Sequence, residues 1–297
     1  MNYRHAFHAG NFADVLKHVV LARILEHLKR KPAPFRAIDL HAGVGLYDLA
    51  GEAAAKTGEW EAGIGKLYTP TSSALPLSAE AEALLMPWRK AVSAVNDGTR
   101  LVHYPGSPEI IRRLAREADR MTFNELHPED HSTLARRFAN ESRAIITELD
   151  AWTALKAALP PPERRGLVLI DPPYEVQSES EQALAGLKEA HRRFATGTIL
   201  LWYPIKGQAD ANAFARRAAA LAIPKMMRVE LNVRRADDRA RLNGSGLILI
   251  NPTWPLEDEI AGLLPELTSR LADPAGRYRG GWRADWLVDE SGKRILD

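Results

Sequence analysis

The sequence predicts a doubly wound α/β fold: an open, mostly parallel sheet covered by helices on both faces. Three observations predict it. Apolar runs of strand length alternate with stretches of helical periodicity through most of the chain. The first run, Phe35–Leu40, ends in a glycine-bearing turn, His41-Ala-Gly43-Val-Gly45, where open α/β sheets place their ligands. Two final runs, Met226–Val233 and Gly246–Asn251, follow one another without an intervening helix, so they are expected to pair antiparallel and close the sheet.

Taken in order, Asn11 and Asp14 read as an N-cap pair opening a helix. Val15, Leu16, Val19, Val20, Ile24 and Leu25 carry it to about Arg30, and Pro32 and Pro34 stop it. After the first strand and its turn, the pattern changes. Gly58, Gly63 and Gly65, then Thr69-Pro-Thr-Ser-Ser73, then a helical segment from Glu80 to Val95 predict an inserted helical subdomain over 51–100. The main domain is then 1–50 together with 101–297. Alternation resumes with a helix from Ser107 through Arg116, a strand Met121–Glu125 and a helix Pro128–Glu141. Further along come a strand Ala144–Glu148, a helix, a strand Gly166–Asp171 and a helix Glu179–Phe194. A strand Thr198–Tyr203 and a helix through Arg216 and Arg217 lead into the closing pair, joined by the loop Arg234–Arg241.

With 297 residues, 45% hydrophobic and 26% charged, the chain suits one large globular domain or one domain with an insertion. A formal charge of +2 gives no strong global field, which leaves a local basic patch open. The absence of cysteine excludes disulfides, thiolate metal sites and cysteine nucleophiles, and fits a reducing compartment. Met1–Asn11 is polar and no apolar run has bilayer length, so a cytoplasmic protein is expected. No His-Glu-x-x-His or comparable spacing points to a metal.

The strongest chemical signal is Asp171-Pro172-Pro173-Tyr174 directly after a strand. Asp171 can accept a hydrogen bond from an exocyclic amine, and the carbonyl of Pro172 a second. Two acceptors on one amino group pull it toward tetrahedral geometry and localise its lone pair for attack on a methyl donor. Tyr174 offers a ring for the target base to stack on, worth roughly 1–3 kcal/mol. A rigid turn whose aspartate caps the next helix is the plain alternative.

Weaker signals surround it. Gly43 and Gly45 let the backbone approach a cofactor, with free N–H groups expected from a helix beginning after the turn. Glu125 ends the second strand, where an acid can reach ribose hydroxyls; by itself it reads as a surface or capping acid. Asp150 follows the third strand and reads first as an N-cap or solvated acid, and second as a contact for an adenine amino group. Ser107 reads first as the cap of its own helix and second as a contact for a cofactor carboxylate. Tyr3, Arg4, His5, His8, Lys17 and His18 crowd the N-terminus, a set that can stack on bases and meet phosphates or can form a plain solvated helix face. The loop Arg234–Arg241 mixes signs, as a solvated connection does; contact with phosphates is its second reading.

Together, Tyr3-Arg4-His5-Ala-Phe7-His8-Ala-Gly10-Asn11, Ala-Asp-Val-Leu-Lys-His18, His41-Ala-Gly43, Tyr104-Pro-Gly-Ser-Pro108, Glu125-Leu-His-Pro128 and Leu-Ile-Asp-Pro-Pro-Tyr-Glu175 resemble the bacterial 23S ribosomal RNA adenine-N6 methyltransferases of the RlmJ type. The likeness runs through Asn251-Pro-Thr-Trp-Pro255; beyond Trp254 nothing is carried over. It implies a class I, Rossmann-like methyltransferase fold with a small helical insertion. It implies S-adenosylmethionine contacts at His18, His41, Gly43, Ser107, Glu125, Asp150, Ala151 and Asp171, with Asp171 as the catalytic residue, joined in the reading of the tetrapeptide above by Pro172 and Tyr174. Family members can carry Gly where this chain has Ala151, and a backbone contact survives that exchange. Tyr3, His5 and Lys17 fall on the side of the RNA substrate. A monomer acting on naked or early-precursor 23S RNA is the partner reading. DNA adenine methylation on the same scaffold and a non-catalytic RNA-binding assembly factor are the rivals. A glutamine-directed protein methyltransferase is a further one, disfavoured because those resemble Asn-Pro-Pro-Tyr and this chain has Asp171.

Overall fold

The computed structural model of the chain describes residues 4–68, 76–97, 100–176, 178–273, 278 and 280–295. Helix α1 (Phe12–Lys29) precedes strand β1 (Arg36–Asp39). A short strand β2 (Leu46–Asp48) leads into helices α2 (Glu52–Thr57), α3 (Gly65–Tyr68) and α4 (Ala79–Ser93), and β3 (His103–Pro105) returns to pair antiparallel with β2. Then follow α5 (Ser107–Leu114), β4 (Arg120–Asn124), α6 (Pro128–Arg137) and β5 (Ala144–Thr147). The second half runs α7 (Ala151–Ala158), β6 (Gly166–Ile170), α8 (Glu179–Arg193), β7 (Thr198–Ile205), α9 (Gln208–Ala219), β8 (Met226–Asn232), β9 (Gly244–Ile250), α10 (Leu256–Leu271) and β10 (Gly281–Val288).

Eight strands form one sheet in the order β10-β8-β9-β7-β6-β1-β4-β5. The five from β7 to β5 are parallel, and β9 lies antiparallel between β7 and β8. From β1 the chain first builds outward through β4 to β5, then recrosses to β6 and builds the other way. That reversal puts a crevice between the carboxyl ends of β1 and β6, the place where such sheets bind ligands. Alternate residues feed two cores: Ala37 packs under α1, α4, α5 and α10, and Ile38 under α7, α8 and α9.

Two sequence expectations need correction. The closing pair does not close the sheet, because β10 adds antiparallel to β8 beyond it. Its sequence, Gly-Trp-Arg-Ala-Asp-Trp-Leu-Val, alternates weakly because only Leu287 and Val288 are fully buried. The turn after β1 is also not followed by a helix; β2 comes next, so no helix N-terminus points at the crevice there.

Helix α1 is a central element rather than an amphipathic cover. Fifteen of its 18 residues are buried, including Asp14, Lys17 and His18. It begins where expected, with Asn11 Oδ1 accepting from the amides of Ala13 and Asp14 at 2.9 and 3.0 Å. The reciprocal bond is displaced by one residue: Asp14 Oδ2 accepts from Gly10 N, 2.9 Å, instead of from the cap residue itself.

Candidate active site

The crevice is built from five pieces: the first turns of α1, the turn after β1, the start of α5, the end of β4 and the turn after β6. Asp171 stands at its centre. Its backbone N–H donates to His41 Nδ1 at 3.2 Å, which ties the turn after β6 to the turn after β1. Its Oδ2 lies 2.5 Å from Lys17 Nζ. Lys17 also pairs with Asp14 Oδ1 at 2.9 Å, and Asp14 Oδ2 lies 2.9 Å from His5 Nε2. One buried ammonium thus stands between two carboxylates. Burial alone would lower the Lys17 pKa, but Asp14 and Asp171 outweigh it and raise the group above its ordinary range. For Asp14 burial would favour the acid form, yet His5, Lys17 and His18 hold it well below the usual carboxylate range.

Two imidazoles stay neutral. Burial lowers His18 to about 3 and His41 to about 4. His18 Nδ1 is 2.8 Å from the Tyr104 hydroxyl and its ring stacks on that phenol, while His41 packs edge-on against Trp152.

Gly43 is required by its surroundings: its φ is +61°, and a Cβ there would lie 2.1 Å from the Tyr47 hydroxyl oxygen. Its N–H donates to Glu125 Oε2 at 2.8 Å, and Glu125 Oε1 accepts from His127 N at 2.8 Å. Burial raises the Glu125 pKa despite those two bonds. Glu125 therefore faces the glycine turn.

Asp150 takes the plainer of its readings: Oδ1 accepts from Trp152 N and Thr153 N, both at 3.1 Å, and caps α7, with Ala151 buried as the first helical residue. Ser107 does not cap α5. Gly106 holds the cap position without a side chain, and Ser107 is the buried first residue of the helix. Tyr174 has a left-handed backbone, φ 54°; its hydroxyl donates to the Trp202 carbonyl at 2.8 Å, and the two rings meet edge to face at 5.6 Å. Pro172 is buried beside it. Tyr3 lies outside the described residues; His5 sits over the crevice, its ring edge-on to Tyr47 at 5.2 Å.

Three residues that sequence reasoning did not select shape the site. Asp14 holds His5 and Lys17 together, and its signal was masked by its own first-turn position. Asp39 ends β1 fully buried: Oδ1 accepts from His41 N at 3.1 Å, while Oδ2 lacks a well-formed hydrogen bond among the described residues, with Ser107 beside it. Burial raises its pKa to about 7. Asn124 knots three loops, donating to Leu40 O and Leu149 O and accepting from Leu149 N and the Thr147 hydroxyl. The orphaned acceptor of Asp39 and the glycine cradle at Gly43 fit a cofactor with donor groups lying across β1. Among the described residues no group of three His, Asp or Glu is placed to hold a metal ion, and no helix is long and apolar enough to cross a membrane.

A switch-point crevice lined by a glycine turn, an acid after β4 and an Asp-Pro-Pro-Tyr turn, in a sheet of this strand order, defines the class I methyltransferase fold. The chain belongs to the family described as Ribosomal RNA large subunit methyltransferase D, RlmJ, which matches residues 32–288. It is 42% identical over 290 residues to the Ribosomal RNA large subunit methyltransferase J of Escherichia coli (strain K12), covering 98% of this chain and 100% of that one. It is 40% identical over 291 residues to the protein of the same name from Haemophilus influenzae, with the same coverage. A crystal structure from Legionella pneumophila str. Philadelphia 1 superposes with a TM-score of 0.83 at 31% identity, covering 94% of this chain and 98% of that one.

Proposed function

We propose that this chain transfers a methyl group from S-adenosylmethionine to the N6 amino group of an adenine in 23S ribosomal RNA. The observation that supports it most is the position of Asp171: at the switch point, held by Lys17, one residue ahead of a proline carbonyl and beside the glycine turn. The names of the family and its relatives support a ribosomal RNA substrate and a methyl donor.

When bound, S-adenosylmethionine supplies a sulfonium methyl whose bond to sulfur breaks as the bond to N6 forms. His18, His41, Gly43, Ser107, Glu125, Asp150 and Ala151 would line its place, and the Asp39 carboxylate beside Ser107 would add an acceptor for one of its donors. The adenine enters unpaired or flipped, because its amino group is out of reach inside a stack. Tyr174, its ring fixed against Trp202, receives the base. Asp171 and the Pro172 carbonyl accept from the two N6 hydrogens and orient the nitrogen lone pair. Catalysis is then positioning plus amine polarisation. Asp171 takes the proton that N6 loses, and water removes it afterwards. Lys17, His5 and Tyr3 serve the RNA side, with Lys17 keeping Asp171 in place. The same reading makes 51–100 an insertion in a methyltransferase domain of 1–50 and 101–297, acting as a cytoplasmic monomer on naked or early-precursor RNA.

The test is methyl transfer from labelled S-adenosylmethionine to naked 23S RNA, assembled large subunits and duplex DNA in parallel, with the product nucleoside identified by mass spectrometry. N6-methyladenosine in RNA and not in DNA is the expected result. Label in DNA alone keeps the chemistry and replaces the substrate. Label nowhere, with no binding of S-adenosylmethionine, returns the chain to a binding factor.

A further inference from the structure

The strand ends opposite the crevice carry a row of arginines. Arg143 immediately precedes β5, Arg120 opens β4, Arg36 opens β1 and Arg165 immediately precedes β6. These four strands are neighbours in that order, and Arg36 lies directly across from Arg120. At the usual strand spacing the four backbone positions span about 14 Å. Segments 30–36, 115–120, 139–144 and 160–166 together hold Arg30, Lys31, Arg36, Arg116, Arg120, Arg143, Arg164 and Arg165. Against these eight cations stand Glu117, Asp119, Glu141 and Glu163. In a chain whose formal charge is only +2, this pole is distinctly positive.

Part of the row has a structural purpose. Arg36 pairs with Glu163 at 2.9 Å, Arg143 with Glu141 at 2.7 Å, and Arg116 with Asp119 at 2.9 Å. Arg120 donates only to carbonyls of 117, 118 and 119, and Arg165 only to those of Ala33 and Leu28. Arg116 and Arg165 flank the Phe35 ring at 5.8 and 6.0 Å and both donate to Ala33 O. Carbonyl bonds brace the strand-entry loops but cancel no charge. Burial and the neighbouring Arg116 depress the Arg165 pKa, as expected where like charges converge. Arg30, Lys31 and Arg164 are exposed, and their side chains make no ion pair or hydrogen bond among the described residues.

We propose that this pole binds the phosphate backbone of RNA outside the target segment, giving a long ribosomal RNA a second hold while its adenine occupies the crevice. The inference rests on the reading that ribosomal RNA is the substrate. Guanidinium and ammonium groups without acid partners are what phosphate contacts use. A protein-docking face would need an apolar centre, and none of the exposed large hydrophobic residues lies in these four segments. About 15 Å of sheet separates the two poles, so different stretches of RNA engage them.

The test uses the full chain with the three exposed cations replaced together: Arg30→Gln, Lys31→Gln and Arg164→Asn, the last chosen because Arg164 has a φ of 53° that Asn tolerates. Binding is followed by fluorescence anisotropy against salt, for full-length 23S RNA and for the shortest fragment that the wild type methylates. On full-length RNA the slope of log affinity against log salt is expected to become shallower by about 2, so that between about 50 and 200 mM salt the wild type loses about 20-fold more affinity than the variant. On the short fragment, affinity, methylation rate and S-adenosylmethionine binding are expected to be unchanged. Lysine at 30 and 164 with Lys31 retained should restore the slope. Lys31→Glu alone should weaken full-length binding in the same direction. An unaltered slope on full-length RNA, or an equal loss on both RNAs, overturns the second contact. A wild type that methylates no RNA overturns the parent reading instead.

Discussion

Lys17 Nζ lies 2.5 Å from Asp171 Oδ2 across 154 residues of sequence, joining the first turns of α1 to the turn after β6. Both side chains are largely removed from water, at 5% and 15% exposure, and Asp14 stands on the other side of the same ammonium. The pair ties the N-terminal helix to the residue proposed to be catalytic. It predicts that Asp171→Asn lowers methyl transfer by about 10²–10⁴-fold, with S-adenosylmethionine affinity within a few-fold of wild type by calorimetry. Equal losses of turnover and cofactor binding would make Asp171 a structural residue.

Removing the ammonium should act differently. In Lys17→Met, Asp14 and Asp171 face one another without a cation, and the ionised form of either is disfavoured. The acid limb of the pH–rate profile should move to higher pH, so that activity lost at pH 7 is partly regained at pH 9. A profile scaled down uniformly, with no movement of the limb, would mean that Lys17 acts only through RNA binding.

Asp14 organises that pair from behind, since it holds Lys17, His5 and Gly10 N–H at once. Asp14→Asn keeps an acceptor for the amide but withdraws the charge that orients the Lys17 ammonium and the His5 ring. The expected result is a higher KM for RNA together with a lower kcat, because under the proposed function His5 serves RNA binding and Lys17 both serves RNA binding and keeps Asp171 in place. A change in thermal stability alone, with both constants preserved, would reduce Asp14 to a capping residue.

The glycine turn allows a paired comparison. Gly43 and Gly58 have nearly the same φ, +61° and +62°, but a Cβ at Gly43 meets the Tyr47 hydroxyl at 2.1 Å whereas at Gly58 the nearest neighbour is 4.0 Å away. Gly58→Ala should cost about 1 kcal/mol of stability from backbone strain and leave cofactor affinity alone. Gly43→Ala should push Tyr47 aside, break the alignment of its N–H with Glu125 and weaken S-adenosylmethionine at least tenfold.

Much of this arrangement was legible in the sequence, and its failures have identifiable causes. Asp171, Glu125 and the Gly43 turn were readable because each follows an apolar run of strand length, and the strand order then brings their ends together. Asp14 and Asn124 were not, because a first-turn acid and a strand-end amide have common local uses, and only tertiary pairing distinguishes them. Asp39 reads only as a residue near the end of the run Phe35–Leu40, beside the glycine turn; its importance comes from complete burial, which no local pattern shows. Ser107 was misassigned by one position, since Gly106 can hold the cap conformation without a side chain. Helix α10 had the spacing of a helix in Leu256, Ile260, Leu263, Leu264 and Leu267, but Pro265 inside it and the weak alternation of β10 obscured the end of the chain.

That last helix carries its own prediction. Glu259 on α10 accepts from Arg23 at 2.9 and 2.7 Å and lies 2.9 Å from His27 Nε2, fastening the C-terminal helix to α1 beneath the site. Burial would raise the Glu259 carboxyl, but the hydrogen bonds from His27 and Arg23 outweigh it and hold its pKa at about 2. Because the folded value lies below the ordinary one of about 4.3, the interaction contributes fully above that pH and is lost as the pH falls toward 2. Glu259→Gln should therefore cost about 2 kcal/mol near pH 7, read as a lower urea midpoint with an unchanged slope. The difference from wild type should shrink steadily between about pH 4 and pH 2. A deficit that stays constant over that range would show that the ion pairs are incidental and that α10 is held by its leucines alone.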